Sequence, residues 1–330
     1  MKRNLFILGA GLTKSIFNSA PLNDELVNAL LDFNPSSQLK ILSEKYATHD
    51  IELLLTKLDI DIHQGGYDSE IRNEINADIA GYFQRFRFKP NILNEKRWLE
   101  KFALKSFNND DVIINLNYEC FLEGLLDYLG IWNPNKGYGV INNVLIDDSC
   151  VNVKNIQILK IHGSENFTQQ PIFNKPESSS VTFEFNESIF PKSAANSFFG
   201  HRSVPIPFWK NHAVKPYIIA PSYVKIPVVE IIYLMIDAIE AAKTSDKIII
   251  IGCSLRPEDS FLWLLLTTFF RNPNWRNRKS IIISPEANRI GNQIRQFWGG
   301  IVSNCLTEIP SKLENAIDEL CALLNDSDAK

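Results

Sequence analysis

The sequence predicts an α/β fold: a doubly wound, mostly parallel, Rossmann-like sheet with a helical insertion. Three observations carry that reading. Five short apolar runs, at 5–8, 112–116, 156–161, 247–251 and 281–284, have the length and composition of strands buried on both faces. The segments between them have helical periodicity, and strands alternating with helices build parallel sheets. The turn Gly9-Ala10-Gly11 follows the first run directly. The chain has 330 residues, 45% of them hydrophobic, and is read as a single domain over 1–330 with insertions. A chain of this size buries roughly three quarters of its unfolded surface.

In chain order, Leu5–Leu8 is the first strand, followed by a turn and a helix. Pro21-Leu22-Asn23-Asp24 offers a start for a helix over Glu25–Phe33. Helices are further expected at Ile51–Leu55, at Ser69–Phe83 and at Asn94–Phe107, the last with Trp98, Leu99, Phe102 and Ala103 on one stripe. The region of about 20–107 is thus a helical insertion between the first two core strands. Val112–Leu116 resumes the sheet, Phe121–Leu129 is a helix, and Ile156–Ile161 is the next strand. Residues of about 166–215 are rich in Ser, Pro, Asn and aromatic side chains. They read as a loop-rich insertion over the active site, with a short strand at Val181–Phe183. A helix over Val228–Lys243, a strand at Lys247–Ile251, a helix over Asp259–Phe270 and a strand at Ile281–Ser284 follow. Helices over Ala287–Trp298 and Lys312–Leu324 finish the chain, and no internal repeat is present.

Composition narrows the class. Net charge is −4, which asks for no nucleic-acid partner. The five cysteines, Cys120, Cys150, Cys253, Cys305 and Cys321, include no Cys-x-x-Cys pair. The odd count and the strand that begins almost at the N-terminus, with no leader pattern, point to a reducing cytoplasm. No apolar run reaches the ~18 residues of a membrane span. His49, His63, His201 and His212 are scattered, so no metal site is expected. Arg85-Phe86-Arg87-Phe88-Lys89 and Trp275-Arg276-Asn277-Arg278-Lys279 interleave basic and aromatic residues. Both are short and read as solvated or partner surfaces rather than nucleic-acid sites.

Ligands of an open α/β sheet collect at the carboxyl ends of its strands. Gly9 and Gly11 allow a tight turn and close approach of a pyrophosphate to the next helix N-terminus. A plain strand-to-helix turn is the alternative. Position 14 is Lys where the dinucleotide fingerprint has its third Gly, and no acidic residue closes a second strand. An ordinary NAD dehydrogenase is therefore disfavoured. Asn117 closes the second strand and offers a donor and an acceptor, for a ribose, an attacking water or a local Asx turn. His162 precedes Gly163 at another strand end, where a neutral imidazole accepts a proton near pH 7. Ser254 follows Gly252 at a further strand end, Asp259 suits a helix N-cap or a ligand contact, and Ser284 ends the last strand.

Order and spacing of these segments resemble the sirtuin-like family, and specifically its bacterial branch of NAD-cleaving immune effectors. The matching stretches are Gly9-Ala10-Gly11-Leu12-Thr13, Leu116-Asn117-Tyr118-Glu119, Lys160-Ile161-His162-Gly163-Ser164, Ile218-Ile219-Ala220-Pro221-Ser222 and Ile251 to Asp259. Thr13 stands where the family has Ser, and Glu119 where it has Asp. The resemblance implies His162 as catalytic base and Asn117 as its partner at the nicotinamide ribose. It implies binding of NAD, as substrate, by Gly9, Ala10, Gly11, Thr13, Glu119, Gly252, Ser254, Asp259 and Ser284. No Cys lies between Ser164 and Pro221, where deacylating sirtuins carry a four-Cys zinc module. The expected activity is therefore hydrolysis of NAD to nicotinamide and ADP-ribose, without a metal, as the effector of an abortive anti-phage response. A protein deacylase and a catalytically idle nucleotide-binding scaffold are the alternatives. The implied partners are further copies of this chain, or a second defence protein such as an ATPase or an Argonaute-like protein.

Overall fold

The computed structural model describes residues 3–134, 137–141, 154–172, 175–195, 215–219, 227–256, 259–273 and 278–325. Cys150, His201, His212, Ala220-Pro221-Ser222, Pro257-Glu258 and Trp275-Arg276-Asn277 lie outside them.

The main sheet has six strands, all parallel, in the order β3-β2-β1-β7-β8-β9. They are β1 (Asn4–Leu8), β2 (Val112–Asn115), β3 (Gln157–Leu159), β7 (Lys247–Ile251), β8 (Lys279–Ile283) and β9 (Leu306–Ile309). Every residue of β1, β2 and β7 is buried, as a strand covered on both faces requires. The chain runs outward from β1 to β2 and β3, then returns past β1 to β7. That reversal puts the topological switch point between β1 and β7. Helices α1 (Ala10–Ile16), α8 (Phe121–Tyr128), α9 (Val229–Thr244), α10 (Ser260–Phe270), α11 (Ala287–Trp298) and α12 (Leu313–Asn325) accompany the strands.

Between β1 and β2 run α2 (Leu26–Phe33), α3 (Gln38–Tyr46), α4 (Ile51–His63), α5 (Ser69–Phe83), α6 (Ile92–Glu95) and α7 (Trp98–Ser106). They divide into two groups. Helices α2 to α5 enclose a core of their own around Leu30, Leu39, Leu54, Leu58, Ile75 and Ile79, which Tyr118 and Ile218 join. Helices α6 and α7 pack instead on the sheet: Phe102 and Phe107 meet edge to face at 5.1 Å, and Phe107 meets Phe6 of β1 at 4.8 Å. Asp50 and Asp68 cap α4 and α5 by accepting from the amides of Glu52 and Glu70. The single helix expected over Asn94–Phe107 is broken, because Lys96 leaves helical backbone geometry.

A second sheet has three antiparallel strands in the order β5-β4-β6: β4 (Gly163–Ile172), β5 (Lys175–Phe183) and β6 (Lys215–Ile218). It differs from the loop with one short strand that composition suggests for this region. Phe167 lies opposite Phe183 and both are buried, but Ser164, Glu165 and Asn166 are buried polar residues, so the start of β4 reads as polar. Strand β9 was likewise not anticipated; it is a four-residue edge strand, half-buried at three positions. Among the described residues no helix is long and apolar enough to cross a membrane.

Candidate active site

A cavity of about 640 Å³ opens at the carboxyl ends of β1, β2, β7 and β8. Gly9, Ala10, Gly11, Thr13, Asn117, Glu119, His162, Gly252, Ser254, Asp259 and Ser284 all line it. Residues from five separated segments of the chain thus face one space at the switch point.

The wall after β1 and β7 is made of backbone. The amide of Gly9 donates to the Ile251 carbonyl at 3.0 Å, and that of Gly11 to the Gly252 carbonyl at 2.8 Å. The two turns touch. A Cβ on Gly9 would sit 2.7 Å from the Gly252 oxygen, and one on Gly252, whose φ is +60°, would sit 2.3 Å from the Leu12 nitrogen. The close approach these glycines permit is therefore first of all between turn and turn, and their amides are already paired. What they leave a ligand is room. Ser254 is exposed at the rim. The Ser284 hydroxyl accepts from the Glu286 amide at 3.2 Å, which fixes the end of β8. Asp259 holds the N-cap position of α10, but its side chain makes no capping hydrogen bond. The residue borders the cavity.

The wall after β2 and β3 is made of side chains. In the loop beyond β2, Asn117 and Glu119 border the cavity, while Tyr118 joins the helical core, 5.3 Å from Phe83 ring to ring. The Tyr118 hydroxyl donates to the Ile219 carbonyl at 3.0 Å. The Asn117 backbone amide donates to Asn115 Oδ1 at 3.2 Å, and its side-chain Nδ2 is buried without a hydrogen-bond partner. Glu119 Oε1 accepts from the Thr13 hydroxyl at 2.7 Å, while Oε2 is buried and unpartnered. The two positions that depart from the family pattern are thus bonded to each other. Burial pushes the Glu119 carboxyl up to about 7, against the opposing pull of Lys160 and of the Thr13 hydroxyl. His162 is half-buried, and its carbonyl accepts from the Ile219 amide at 2.9 Å. Gly163, at φ +75°, follows because a Cβ there would lie 2.4 Å from the Tyr217 oxygen.

Sequence reasoning missed the third wall. Glu52 of α4 accepts from Asn23 Nδ2 at 2.7 Å and pairs with Arg256 Nη1 at 3.4 Å. This joins the helical insertion to the segment after β7. Nothing in spacing links positions 52 and 256. The basic-aromatic stretch 85–89 is partly absorbed internally, with Arg85 and Lys89 exposed. Phe86 and Phe88 are buried, and Arg87 grips the buried Glu165 with two bonds of 2.7 and 2.6 Å. Arg278 is buried and donates to the carbonyls of Ala242, Phe269 and Lys243. Among the described residues no cluster of three or more His, Cys, Asp or Glu side chains suits a metal ion. Cys120, Cys253 and Cys305 are buried, and Cys321 is half-buried.

No protein-family model matches the chain, and no curated protein matches it. Solved structures do. A Sir2 homologue variant in complex with ADP-ribose is 12% identical, with 99% of this chain and 93% of that chain covered and a TM-score of 0.47. A structure described as the basis for the mechanism and regulation of Sir2 enzymes is 11% identical, covering 100% and 94%, at a TM-score of 0.43. A Sir2 homologue in complex with NAD is 12% identical, covering 99% and 91%, at a TM-score of 0.39. These are what the chain is similar to, and no residue's role follows from them.

Proposed function

We propose that this chain hydrolyses NAD at the nicotinamide–ribose bond, releasing nicotinamide and ADP-ribose. One observation carries the reading: His162 and Asn117, from the ends of two strands, line the same switch-point cavity as the glycine turn after β1. The cavity volume of about 640 Å³ lies within the range typical of small-molecule sites. In this reading Gly9, Ala10, Gly11 and Gly252 leave room for the pyrophosphate, and Ser254, Asp259 and Ser284 meet the adenosine. Glu119, steadied by Thr13, meets the carboxamide. The transition state is oxocarbenium-like, so the site positions the ribose and delivers water. The His162 imidazole takes a proton from the attacking water, and the Asn117 amide holds that water or the ribose hydroxyl beside it. The reading uses no metal, so chelation should leave turnover unchanged.

The resemblance at the five motifs supports placing the chain among the sirtuin-like NAD-cleaving defence effectors. A cell that destroys its NAD cannot support a phage, so such an enzyme must be silent until triggered. Self-assembly or a second defence protein supplies that control in this reading, acting in the cytoplasm. The experiment is direct. The purified protein is incubated with NAD, alone and with candidate partners, and nicotinamide is followed by chromatography. Nicotinamide release that rises on engagement supports both parts. A folded protein that binds ADP-ribose yet never releases nicotinamide makes the chain a nucleotide-binding scaffold.

A further inference from the structure

We propose that the buried Lys160–Glu123 ion pair is a positioning device, which fixes the loop 116–120 against the turn that carries His162. The inference rests on the NAD-cleaving reading for its consequence, and on geometry for its existence. Both side chains are fully buried, with Nζ and Oε1 3.2 Å apart. Lys160 Nζ also donates to the backbone carbonyl of Glu119 at 2.7 Å. Glu123 Oε1 accepts from Asn115 Nδ2 at 3.3 Å, and Asn115 Oδ1 accepts from the Asn117 amide at 3.2 Å. The neighbours of His162 add to the grip. The Ser164 hydroxyl and the Glu165 amide both donate to the Tyr118 carbonyl, at 3.1 and 2.8 Å. The Gly163 amide closes a turn on the Lys160 carbonyl at 3.0 Å, with His162 inside it.

The backbone of Asn117, Tyr118 and Glu119 is thus held at each residue, directly or through Asn115, by groups of the segment that bears His162 and by Glu123 of α8. A buried ion pair is a poor source of stability, because desolvation offsets its attraction, and apolar replacements often serve as well. A methyl or methylene group, however, cannot bridge a carboxylate and a carbonyl on two different elements. The ammonium does so here. Its contribution is the register of Asn117 and His162, which the reaction needs to well under an ångström.

The test is the double variant Lys160→Met/Glu123→Leu, which removes both charges together. Thermal unfolding, ADP-ribose affinity by calorimetry, NAD turnover and backbone amide exchange at 116–120 are measured. The expected result is a folded protein with affinity within about threefold of wild type and kcat at least about tenfold lower, since small misplacements cost up to ~10²-fold. Amides of 117–120 exchange faster while those of β1 and β7 do not. A folded double variant with unchanged kcat and unchanged exchange overturns the proposal. If the double variant does not fold, Asn115→Ala decides. It keeps the ion pair and cuts its link to Asn117, so kcat again falls more than affinity; unchanged kcat and exchange overturn the proposal. If wild type cleaves no NAD, that reading fails by itself. Exchange at 116–120 then decides alone, with unchanged protection in the folded variant as the overturning result.

Discussion

Two walls of the cavity are built from different materials. After β1 and β7 the wall is backbone against backbone, with Gly9 and Gly11 packed on Gly252. After β2 and β3 the lining side chains Asn117 and Glu119 are backed by the buried polar residues Asn115, Glu123 and Lys160, and Glu119 is bonded to Thr13 of α1. The glycine turns of the backbone wall tolerate no added atom, and its ionisable side chains, Arg256 and Asp259, stand at its edge. The side-chain wall holds charge and proton, and answers to pH. A site that must both seat a rigid diphosphate and activate a water has reason to keep those demands apart.

The largest effect is expected in the backbone wall. Gly252→Ala adds a Cβ 2.3 Å from the Leu12 nitrogen at a φ of +60°. Left-handed backbone and overpacking each cost about 1–3 kcal/mol, so a loss of roughly 3 kcal/mol or more is expected in urea unfolding. Wild-type stability would mean that the two turns can part, and that their contact is no constraint. In the side-chain wall the largest effect is chemical. His162→Ala and Asn117→Ala should each lower NAD turnover by at least ~10²-fold, about 2.7 kcal/mol of barrier. Their unfolding should stay near wild type. Equal losses of stability and turnover would erase the contrast between the walls.

The walls also differed in what the sequence made legible. The runs Leu5–Leu8, Val112–Asn115 and Lys247–Ile251 announce themselves, because strands buried on both faces have no room for polar residues. Nine of the eleven cavity residues follow those strands, and His162 and Ser284 follow β3 and β8. Strands β4 and β5 are not legible because their sequences are rich in polar residues, some of them buried like Ser164, Glu165 and Asn166, and β9 because an edge strand needs little apolar surface. The break at Lys96 has no Pro or Gly to mark it. The pairing of Lys160 with Glu123, and of Glu52 with Arg256, is long-range and carries no spacing rule. Thr13 and Glu119 read as two separate departures from a motif; only the fold makes them one hydrogen bond.

A pH-dependent effect, reaching its full size only above about pH 7, separates the walls further. Glu119 is held at about 7 by burial, above the ordinary 4.5 of its side chain. An acid raised on folding lends stability that is complete below its unfolded value. That stability is lost as pH rises from 4.5 through about 7. Ionising so buried a carboxyl costs on the order of 3 kcal/mol across that window. Glu119→Gln cannot ionise and keeps an acceptor for Thr13. The variant should therefore gain on wild type between pH 5 and about 8, as measured by unfolding at each pH. Asp111, pushed to about 6 by burial, titrates in the same range in both proteins and cancels in the difference. A difference that does not change with pH would show that Glu119 is ionised throughout.

The smallest effect is expected where the helical insertion closes over the backbone wall. Arg256 and Glu52 meet at 3.4 Å with side chains 35% and 12% exposed. Such a partly solvated pair contributes at most about 1 kcal/mol, and less in salt. Arg256→Gln should thus leave unfolding within about 1 kcal/mol of wild type. Its effect should fall on the ligand. Arg256 brings a positive charge to the rim of a cavity proposed to take a dianionic diphosphate. ADP-ribose affinity should then drop a few-fold at low ionic strength, with the gap narrowing as salt rises, because rim charges are screened over about 10 Å at 0.1 M. Turnover at saturating NAD should hardly move, since this residue stands on the seating side and not beside His162. A fall in kcat with affinity unchanged would put Arg256 in the chemical half of the site and redraw the division between the two walls.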